Sequence, residues 1–519
     1  MLFNSPEFIY LFVPIVFLGF FWIARLGHRL AAAWLMVSSL FFYGWWNPAY
    51  VGFLLGSIFF NYSAGVILAR EGSKSPQLRR RWPLIIAVAA NLFLLGYFKY
   101  ANFFLGSANA LLATHWSAGE IILPLGISFF TFTQIAFLVD AWRGIAREFN
   151  FIHYGLFVTY FPHLIAGPVL HHKEMMPQFA RPETYRVNWE NLAVGLTIFA
   201  IGLFKKVVLA DSMAVHAAPV FEAAGNSVAL GFLEAWSGAL AYTLQLYFDF
   251  SGYSDMAIGL SRMFGVTLPL NFNSPYKSLN IIEFWRRWHM TLSRFLRDYL
   301  YFPLGGNRKG NARRYVNLMT TMLLGGLWHG AGWTFVIWGG LHGVYLAVNH
   351  AWHGLKGRFD LPTDHLWTRA LAWSITFLAV IVAWVFFRAE SFDAAWRMLL
   401  AMAGVNGVAI PGAWSAALHW RINAAFKVLG IGLGHAGAHV PDLMGWLQIL
   451  ACLVVALTMP NTQTLMARYQ PALDFISKDV RAAWYSFQPH AVWVGFTVFL
   501  LVAALTRGAA VSEFLYFQF

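Results

Sequence analysis

The sequence has few charged residues and only one cysteine. Charged side chains make up 11% of the 519 residues, whereas hydrophobic residues make up 59%, and this balance argues against a soluble globular domain. The single cysteine, Cys452, excludes an intramolecular disulfide framework and a multi-cysteine metal site. The composition therefore predicts a polytopic membrane protein.

Several enzyme motifs are missing as well. The chain contains no Walker A loop and no HExxH sequence, so the usual marks of nucleotide-driven pumping and of zinc peptidases are absent. It also lacks GxSxG, which excludes the nucleophile elbow of an α/β-hydrolase. His171 and His172 are adjacent in sequence and so point in different directions. We therefore expect no metal site.

The net charge of +13 has a simpler explanation than nucleic-acid binding. The basic residues occur in short clusters between apolar segments, where membrane topology and anionic lipid headgroups account for them. With the basic clusters in the cytoplasm, both termini are expected outside. The apolar segments of spanning or near-spanning length lie at about 8–24, 31–46, 50–69, 83–104, 121–140, 192–209, 232–250, 315–329, 332–349, 371–388, 443–459 and 489–506.

Two stretches fit neither a span nor an ordinary loop. Residues 160–179 are apolar at their start but carry Pro162, Gly167 and Pro168, which predicts irregular, re-entrant backbone lining a cavity. Residues 283–306 have a helical period with aromatic and aliphatic side chains on one face and arginines on the other. This pattern predicts one amphipathic helix at the cytoplasmic surface, with His289 on its apolar face.

His329 is the strongest candidate for a chemical role. Fifteen helical residues separate it from Arg314, so it is expected roughly 22 Å from the cytoplasmic boundary. Gly326 and Gly330 would leave room beside it for a thin thioester chain. Ionisable groups inside membranes usually mark function, although a hydrogen bond across a tight helix contact is an alternative.

Acidic and basic residues around these segments suggest supporting roles. Asp249 and Asp255 are expected to pair with Arg286 or Arg287, or else to orient a catalytic histidine. The same two arginines, with the basic pair Arg308 and Lys309, are expected to attract an acidic donor at the cytoplasmic face.

Three separated stretches carry a family resemblance. They read FDFSGYSDMAIGLSRMFGVTLPLNFNSPY, FWRRWHMTLSRFLRDYLYFPLGGNR and GLWHGAGWTFVIWGGLHG, and lie within about 245–345. They resemble, in family order, the signature motifs of the membrane-bound O-acyltransferases, in the bacterial branch of alginate O-acetylation and teichoic-acid D-alanylation. The resemblance implies an all-α membrane protein of about 11–12 transmembrane helices around a central channel, as one domain over residues 1–519. It identifies His329 as the active-site histidine and His289 as the second motif histidine.

The resemblance also implies the reaction. We expect transfer of an acyl group, acetyl by preference, from a cytosolic acyl-CoA or acyl carrier protein thioester, without a bound cofactor. The acceptor would be an extracytoplasmic polysaccharide such as alginate or cellulose, reached through a periplasmic serine-hydrolase-like acyltransferase at the bacterial inner membrane. His329 would act as a general base or be transiently acylated. The alternatives are a transporter of lipid-linked sugars and a non-catalytic scaffold for a periplasmic enzyme.

The last eight residues, 512–519, read SEFLYFQF. They resemble the C-terminal aromatic motif of the small accessory peptide of teichoic-acid D-alanylation, whose tyrosine is thought to carry the acyl group. By this resemblance Tyr516 would be acylated at the outer mouth of the channel. An ordinary aromatic belt at the membrane surface is the alternative.

Overall fold

The structure, a computed structural model, is almost entirely helical. It describes residues 1–146, 149–359, 365–411, 416, 420–428, 432–434, 437–473, 475, 485–507 and 514–515. Within these residues the strands are a short parallel pair, β1 (Ala409–Pro411) and β2 (Gly432–Gly434). The predicted all-α fold class is confirmed.

The helices are numbered here in chain order. They are α1 (Val13–Ala24), α2 (His28–Gly44), α3 (Ala49–Gly72), α4 (Trp82–Leu95), α5 (Ala101–Leu112), α6 (Ile127–Trp142), α7 (Phe151–Thr159), α8 (His172–Phe179), α9 (Trp189–Phe204), α10 (Asp211–Gly225), α11 (Phe232–Met263), α12 (Ile281–Trp285), α13 (Met290–Leu296), α14 (Gly310–His329), α15 (Trp333–Phe359), α16 (Leu366–Arg388), α17 (Phe392–Met402), α18 (Trp420–Val428), α19 (Leu443–Thr458), α20 (Thr462–Leu465) and α21 (Ala491–Arg507).

Short segments of other helix types extend or join these helices. The π-helical turns are Phe8–Phe12 before α1, Gly96–Tyr100 between α4 and α5, Lys205–Ala210 between α9 and α10, and Arg297–Tyr301 after α13. The 3₁₀ turns are Pro76–Leu78, Pro182–Tyr185, Pro275–Lys277 and Ala467–Tyr469.

Each of the twelve predicted apolar segments lies largely on a helix. Among the described residues, four helical runs are long and apolar enough to cross a membrane: Ala49–Gly72, Trp82–Leu112, Trp189–Gly225 and Leu366–Arg388. Four further apolar helices are shorter: Phe8–Ala24, Ile127–Trp142, Leu443–Thr458 and Ala491–Arg507. The segment predicted to end near residue 250 continues without a break to Met263.

The bundle has two ends, which the loop contacts define. At one end Arg79 donates hydrogen bonds to the carbonyl oxygens of Gly72 and Arg143, and Arg143 lies over the ring of Tyr299. We call this end, with residues 73–81, 143 and 297–310, the basic face. At the other end Tyr50 bonds to the carbonyl of Ile122. Residues 45–50, 113–126 and 330–332 form this opposite face.

The described chain packs into two apolar cores, one centred on the N-terminal helices and one on α10, α15, α16 and α17. Helix α11 contributes to both, because its residues after Tyr253 pack in the first core and those before it in the second. It lies very close to α9. A β-carbon on Gly195 or Gly202 would collide with the α11 backbone, so these glycines permit the close approach.

The stretch after Tyr160 is irregular, as predicted. Residues 160–170 form turns and extended backbone and are buried throughout. The backbone N–H of Val169 donates to the Thr291 hydroxyl, and that of Phe161 to the Ser39 hydroxyl. Side-chain hydroxyls therefore accept hydrogen bonds from backbone N–H groups that have no partner within a helix.

Helices α14 and α15 form a tight hairpin at its glycines. A β-carbon on Gly326 would collide with the Phe335 carbonyl oxygen, and one on Gly339 with the Met322 carbonyl oxygen. A β-carbon on Gly330 would enter the Phe335 ring. The prediction that Gly326 and Gly330 leave room for another molecule is wrong, because α15 already fills that space.

We predict that Gly339→Ala lowers the melting temperature in detergent, since overpacking against backbone costs about 1–3 kcal/mol. Gly354→Ala is the matched control. Gly354 lies on the same helix with open space around its Cα, so alanine should leave the melting temperature unchanged or raise it through better helix propensity. Equal melting temperatures for the two variants would contradict the close hairpin.

Candidate active site

His329 is the last residue of α14 and lies between the two apolar cores. Its imidazole is 5% exposed. The ring centroid lies 4.9 Å from that of Trp328 in the first core and 5.0 Å from that of Trp338 in the second. The ring centroid of Phe387, on α16, lies 5.3 Å from that of His329. His329 therefore lies in an aromatic enclosure built from both cores.

His289 lies beside His329, with ring centroids 6.2 Å apart. The predicted amphipathic helix over 283–306 is wrong at this position. The chain ends α12 at Trp285 and restarts at Met290, with His289 in the left-handed region at φ 42°. This break turns the imidazole into the interior, where it is 0% exposed and packs against Phe250.

A hydrogen-bond chain assigns the proton on His289. The Thr291 hydroxyl accepts the Val169 N–H and so donates its own hydrogen to Asn271 Oδ1, at 2.9 Å. His289 Nδ1 lies 3.1 Å from the same amide oxygen, which must act as an acceptor there. Nδ1 therefore carries the hydrogen, and Nε2 is the basic nitrogen of the ring.

A third histidine, His342, lies nearby on α15. It is 0% exposed, and its Nδ1 accepts a hydrogen bond from the indole of Trp285 at 3.2 Å. The ring packs against Trp338 at 4.8 Å. These contacts indicate that His342 is a histidine packed within the apolar core.

Sequence reasoning missed Lys99, which holds the end of α14. Its Nζ donates to the carbonyl oxygen of Trp328 at 2.6 Å and to that of His329 at 3.2 Å. The Ser128 hydroxyl is a third partner at 3.4 Å. The signal was present, because Lys99 lies inside the predicted span at 83–104, and a lysine within a span is rarely incidental.

Lys99 and His329 line the same cavity. Its volume is about 100 Å³. Trp46 and the loop from Leu123 to Ser128 also line it, so the cavity lies towards the opposite face. Helix α14 begins next to Lys309 and runs about 29 Å to His329 at 1.5 Å per residue. The cavity and the basic residues thus lie at the two ends of one helix.

The four predicted donor-binding residues differ in burial. Arg286, Arg308 and Lys309 are exposed. Arg287 is partly buried and pairs with Glu283 at 2.7 Å. Arg308 and Lys309 lie on the basic face, next to the turn that precedes α14. Arg308 and Lys309 thus lie at the opposite end of α14 from His329.

The two predicted supporting carboxylates pair with lysines. Asp249 Oδ1 lies 2.7 Å from Lys206 Nζ, and Asp255 Oδ2 lies 2.6 Å from Lys205 Nζ. Pairing with Arg286 or Arg287 was wrong, because both aspartates lie in the middle of α11, where the π-helical turn Lys205–Ala210 passes. The Asp249–Lys206 pair is almost fully buried, at 3% and 2% side-chain exposure.

Phe514 and Leu515 contact this buried pair. The backbone N–H of Leu515 donates to Asp249 Oδ2 at 3.1 Å, and Lys206 Nζ lies 4.8 Å from the ring centroid of Phe514. Phe514 also packs against Tyr253. Tyr516 lies outside the described residues. Among the residues that are described, no group of three or more His, Cys, Asp or Glu side chains could hold a metal.

Comparison with known proteins identifies the family. The model of the membrane-bound O-acyltransferase family matches residues 143–392, which include both histidines. The chain is 46% identical over 437 residues to the peptidoglycan O-acetyltransferase of Helicobacter pylori, covering 79% of this chain and 81% of the relative. It is 45% identical over 407 residues to the probable alginate O-acetylase of Azotobacter vinelandii, covering 78% of each.

A more distant relative transfers a different group by its name. The teichoic acid D-alanyltransferase of Streptococcus thermophilus is 29% identical over 285 residues, covering 51% of this chain and 68% of the relative. The two acetyltransferases cover more of the chain at higher identity. On this similarity, with two motif histidines brought together in a helical membrane protein, the chain belongs to the membrane-bound O-acyltransferase family and is an acyltransferase.

Proposed function

We propose that this acyltransferase takes an acetyl group from a cytosolic thioester and passes it, at His329, to a hydroxyl acceptor that enters from the other side of the membrane. The observation that carries the proposal is the position of His329. It lies at the far end of α14 from the exposed Arg308 and Lys309, in a cavity that the loops of the opposite face line. In this proposal the acceptor enters through the cavity and the donor approaches from the basic face.

The orientation follows from the charges. Loops rich in arginine and lysine remain in the cytoplasm, so the basic face is the cytoplasmic one. Both termini are then extracytoplasmic, and the membrane is the inner membrane of a bacterium.

The chemistry requires only positioning and one base. As the acceptor oxygen forms a bond to the thioester carbonyl carbon, His329 takes the hydroxyl proton. The carbon–sulfur bond then breaks, and the departing thiolate takes that proton from the imidazolium. A thioester is already activated, so this pathway requires no metal. His289, fixed by Asn271, presents its basic Nε2 within the same enclosure and would orient the reacting groups.

The names of the relatives support the choice of acceptor. Two of them are named for acetyl transfer to peptidoglycan or alginate, so we propose acetylation of an extracytoplasmic polysaccharide. We also propose that a separate periplasmic acyltransferase of the serine-hydrolase type completes the transfer.

We predict that His329→Ala abolishes acyl transfer, with a loss of about 10²–10⁴-fold as expected for a general base, while the protein still folds. Product formation in membranes and the melting temperature in detergent would be measured together. His342→Asn is the control, because it removes a neighbouring buried imidazole outside the cavity and should retain transfer. Residual sugar flux in His329→Ala would indicate a transporter, and undiminished product would indicate a scaffold.

We propose an acyl carrier protein as donor, docked at Arg286, Arg287, Arg308 and Lys309. Carrier proteins are typically acidic, and a basic patch steers such a partner in a salt-dependent way. Acetyl-CoA is the alternative donor.

The double variant Arg308→Glu, Lys309→Glu is expected to raise KM for the carrier protein about tenfold or more without changing kcat. It should also remove most of the salt dependence. The double variant Arg25→Glu, Arg29→Glu, at two exposed arginines of another basic cluster, is the charge-matched control. If neither salt nor the Arg308→Glu, Lys309→Glu variant changed KM for the carrier protein, acetyl-CoA would be the donor.

We propose that Tyr516 carries the acyl group from His329 towards the acceptor. Two contacts support this role, because Phe514 and Leu515 anchor the tail at Lys206 and Asp249. Tyr516 follows these two residues directly in the sequence.

Incubation with donor should add one acyl group to Tyr516, detected by peptide mass mapping. The adduct should vanish in both His329→Ala and Tyr516→Phe. Phe517→Leu serves as a control for general disturbance of the tail. Full polymer acylation by Tyr516→Phe would rule out the relay.

A further inference from the structure

Two buried side chains, Asn271 and Thr291, lie between His289 and the irregular stretch after Tyr160. We propose that acyl transfer requires His289 with its ring hydrogen on Nδ1, and that Asn271 and Thr291 are the positioning residues that hold it in this tautomer. The inference rests on the proposed function, because it assumes that His289 takes part in the transfer. It adds two residues that act on the reaction through His289.

Both ends of the Asn271 amide are hydrogen-bonded. Its Oδ1 accepts the Thr291 hydroxyl at 2.9 Å and lies 3.1 Å from His289 Nδ1. Its Nδ2 donates to the Ser254 hydroxyl at 3.1 Å, and its backbone carbonyl oxygen accepts the Met290 N–H at 2.9 Å. Asn271 is fully buried, and Thr291 and Ser254 are buried beside it. Backbone and side chain therefore hold the segment around His289 in one arrangement.

The orientation of the amide depends on Thr291. Rotation by half a turn would exchange the oxygen and the nitrogen of the amide at nearly unchanged shape. Ser254 tolerates either end, because a hydroxyl can donate or accept. The Thr291 hydroxyl already accepts the Val169 N–H, and after the rotation it would face an N–H group and lose the acceptor of its own hydrogen. Thr291 therefore selects the orientation in which Oδ1 faces His289.

The orientation of the amide decides the chemistry of the imidazole. With Oδ1 beside it, Nδ1 carries the hydrogen, and Nε2 can accept a hydrogen bond from the hydroxyl of an acyl acceptor. With Nδ2 beside it, Nδ1 would become the acceptor, and Nε2 would carry the hydrogen and donate instead. The ring centroids of His289 and His329 are 6.2 Å apart, so this exchange would occur at the proposed reaction centre.

Thr291→Val is the first test, because valine has nearly the shape of threonine and lacks the hydroxyl. We expect kcat for acetyl transfer to fall about fivefold, the factor that one neutral hydrogen bond is typically worth, while KM for the donor changes by less than about twofold. NMR of protein with ¹⁵N-labelled histidine should show part of His289 with its hydrogen on Nε2. The His289 signals are those that disappear in His289→Gln.

Two controls accompany this variant. Thr291→Ser keeps the hydroxyl and should match the wild type in kcat and in tautomer. Thr243→Val removes another buried hydroxyl, which bonds to the Ala239 carbonyl oxygen of its own helix, and should also leave both unchanged. Wild-type kcat in Thr291→Val would overturn the inference. A fall in kcat without a change of tautomer, or an equal fall in Thr243→Val, would overturn it as well.

Asn271→Asp tests the tautomer by a different route. A carboxylate has an oxygen at each end, so its rotation cannot turn a donor towards His289. At alkaline pH this variant should retain kcat, and combined with Thr291→Val it should restore the kcat that Thr291→Val loses. A kcat that is not restored in the double variant would overturn the inference. Asn271→Asp alone keeps the test valid if Thr291→Val fails to fold.

The pH profile of Asn271→Asp is a further readout. The carboxylate favours the imidazolium form of His289, whose Nε2 can no longer accept a hydrogen bond. As the pH falls, Asn271→Asp should therefore lose activity at a higher pH than the wild type, and an unshifted profile would overturn the inference. Among the described residues, the titratable side chain in ring contact with His289 is His329, and Phe250 and Trp328 also contact the ring. All three remain in each variant, so the shift reports the new carboxylate.

Failure of the proposed function gives a different result. If the wild type transferred no acetyl, the proposed function would be contradicted, whereas the NMR spectra would still report the tautomer of His289. A wild-type protein that transfers acetyl with the His289 hydrogen on Nε2 would overturn the inference alone.

Discussion

The end of α14 is the constraint on which the site depends. A helix that stops inside an apolar interior leaves its last carbonyl oxygens without partners in the helix, and each must find a donor elsewhere. Tyr100 supplies one to Leu327, and Lys99 supplies two to Trp328 and His329. These bonds join the N-terminal helices to α14, so His329 is held by a neighbouring segment as well as by its own helix.

The same solution recurs in the second buried cluster. Lys99 lies in the π-helical turn Gly96–Tyr100, and Lys206 lies in the π-helical turn Lys205–Ala210. Such turns often occur at functional sites. In each, a lysine within a long helical run bonds to buried groups on another segment. Removing one partner of a buried pair costs about 3–5 kcal/mol because it leaves the other charge unpaired. Asp249 and Lys206 therefore depend on each other, and they join α11 to the neighbouring run and contact Leu515 and Phe514.

Several features could be predicted from sequence because they depend on local patterns. Twelve runs of apolar residues were predicted as spans and each lies largely on a helix, and prolines and glycines marked the irregular stretch after Tyr160. Other features failed because they depend on distant partners. The lysine partners of Asp249 and Asp255 lie some forty to fifty residues away in the sequence, and no sequence pattern links each lysine to its aspartate. The break at His289 could not be predicted from the sequence, because the spacing of apolar residues over 283–306 fits one continuous helix. Only the structure shows that the backbone of His289 is left-handed.

The sequence by itself determined the class of protein, the helices and the two histidines worth testing, because hydrophobic periodicity and family motifs are written in consecutive residues. Only the tertiary structure decided what surrounds those histidines. It brought His289 within 6.2 Å of His329, filled the space at Gly326 with α15, and set Lys99 against the end of α14. These outcomes follow from burial, because each buried polar group requires a partner that the folded chain brings from a distant segment.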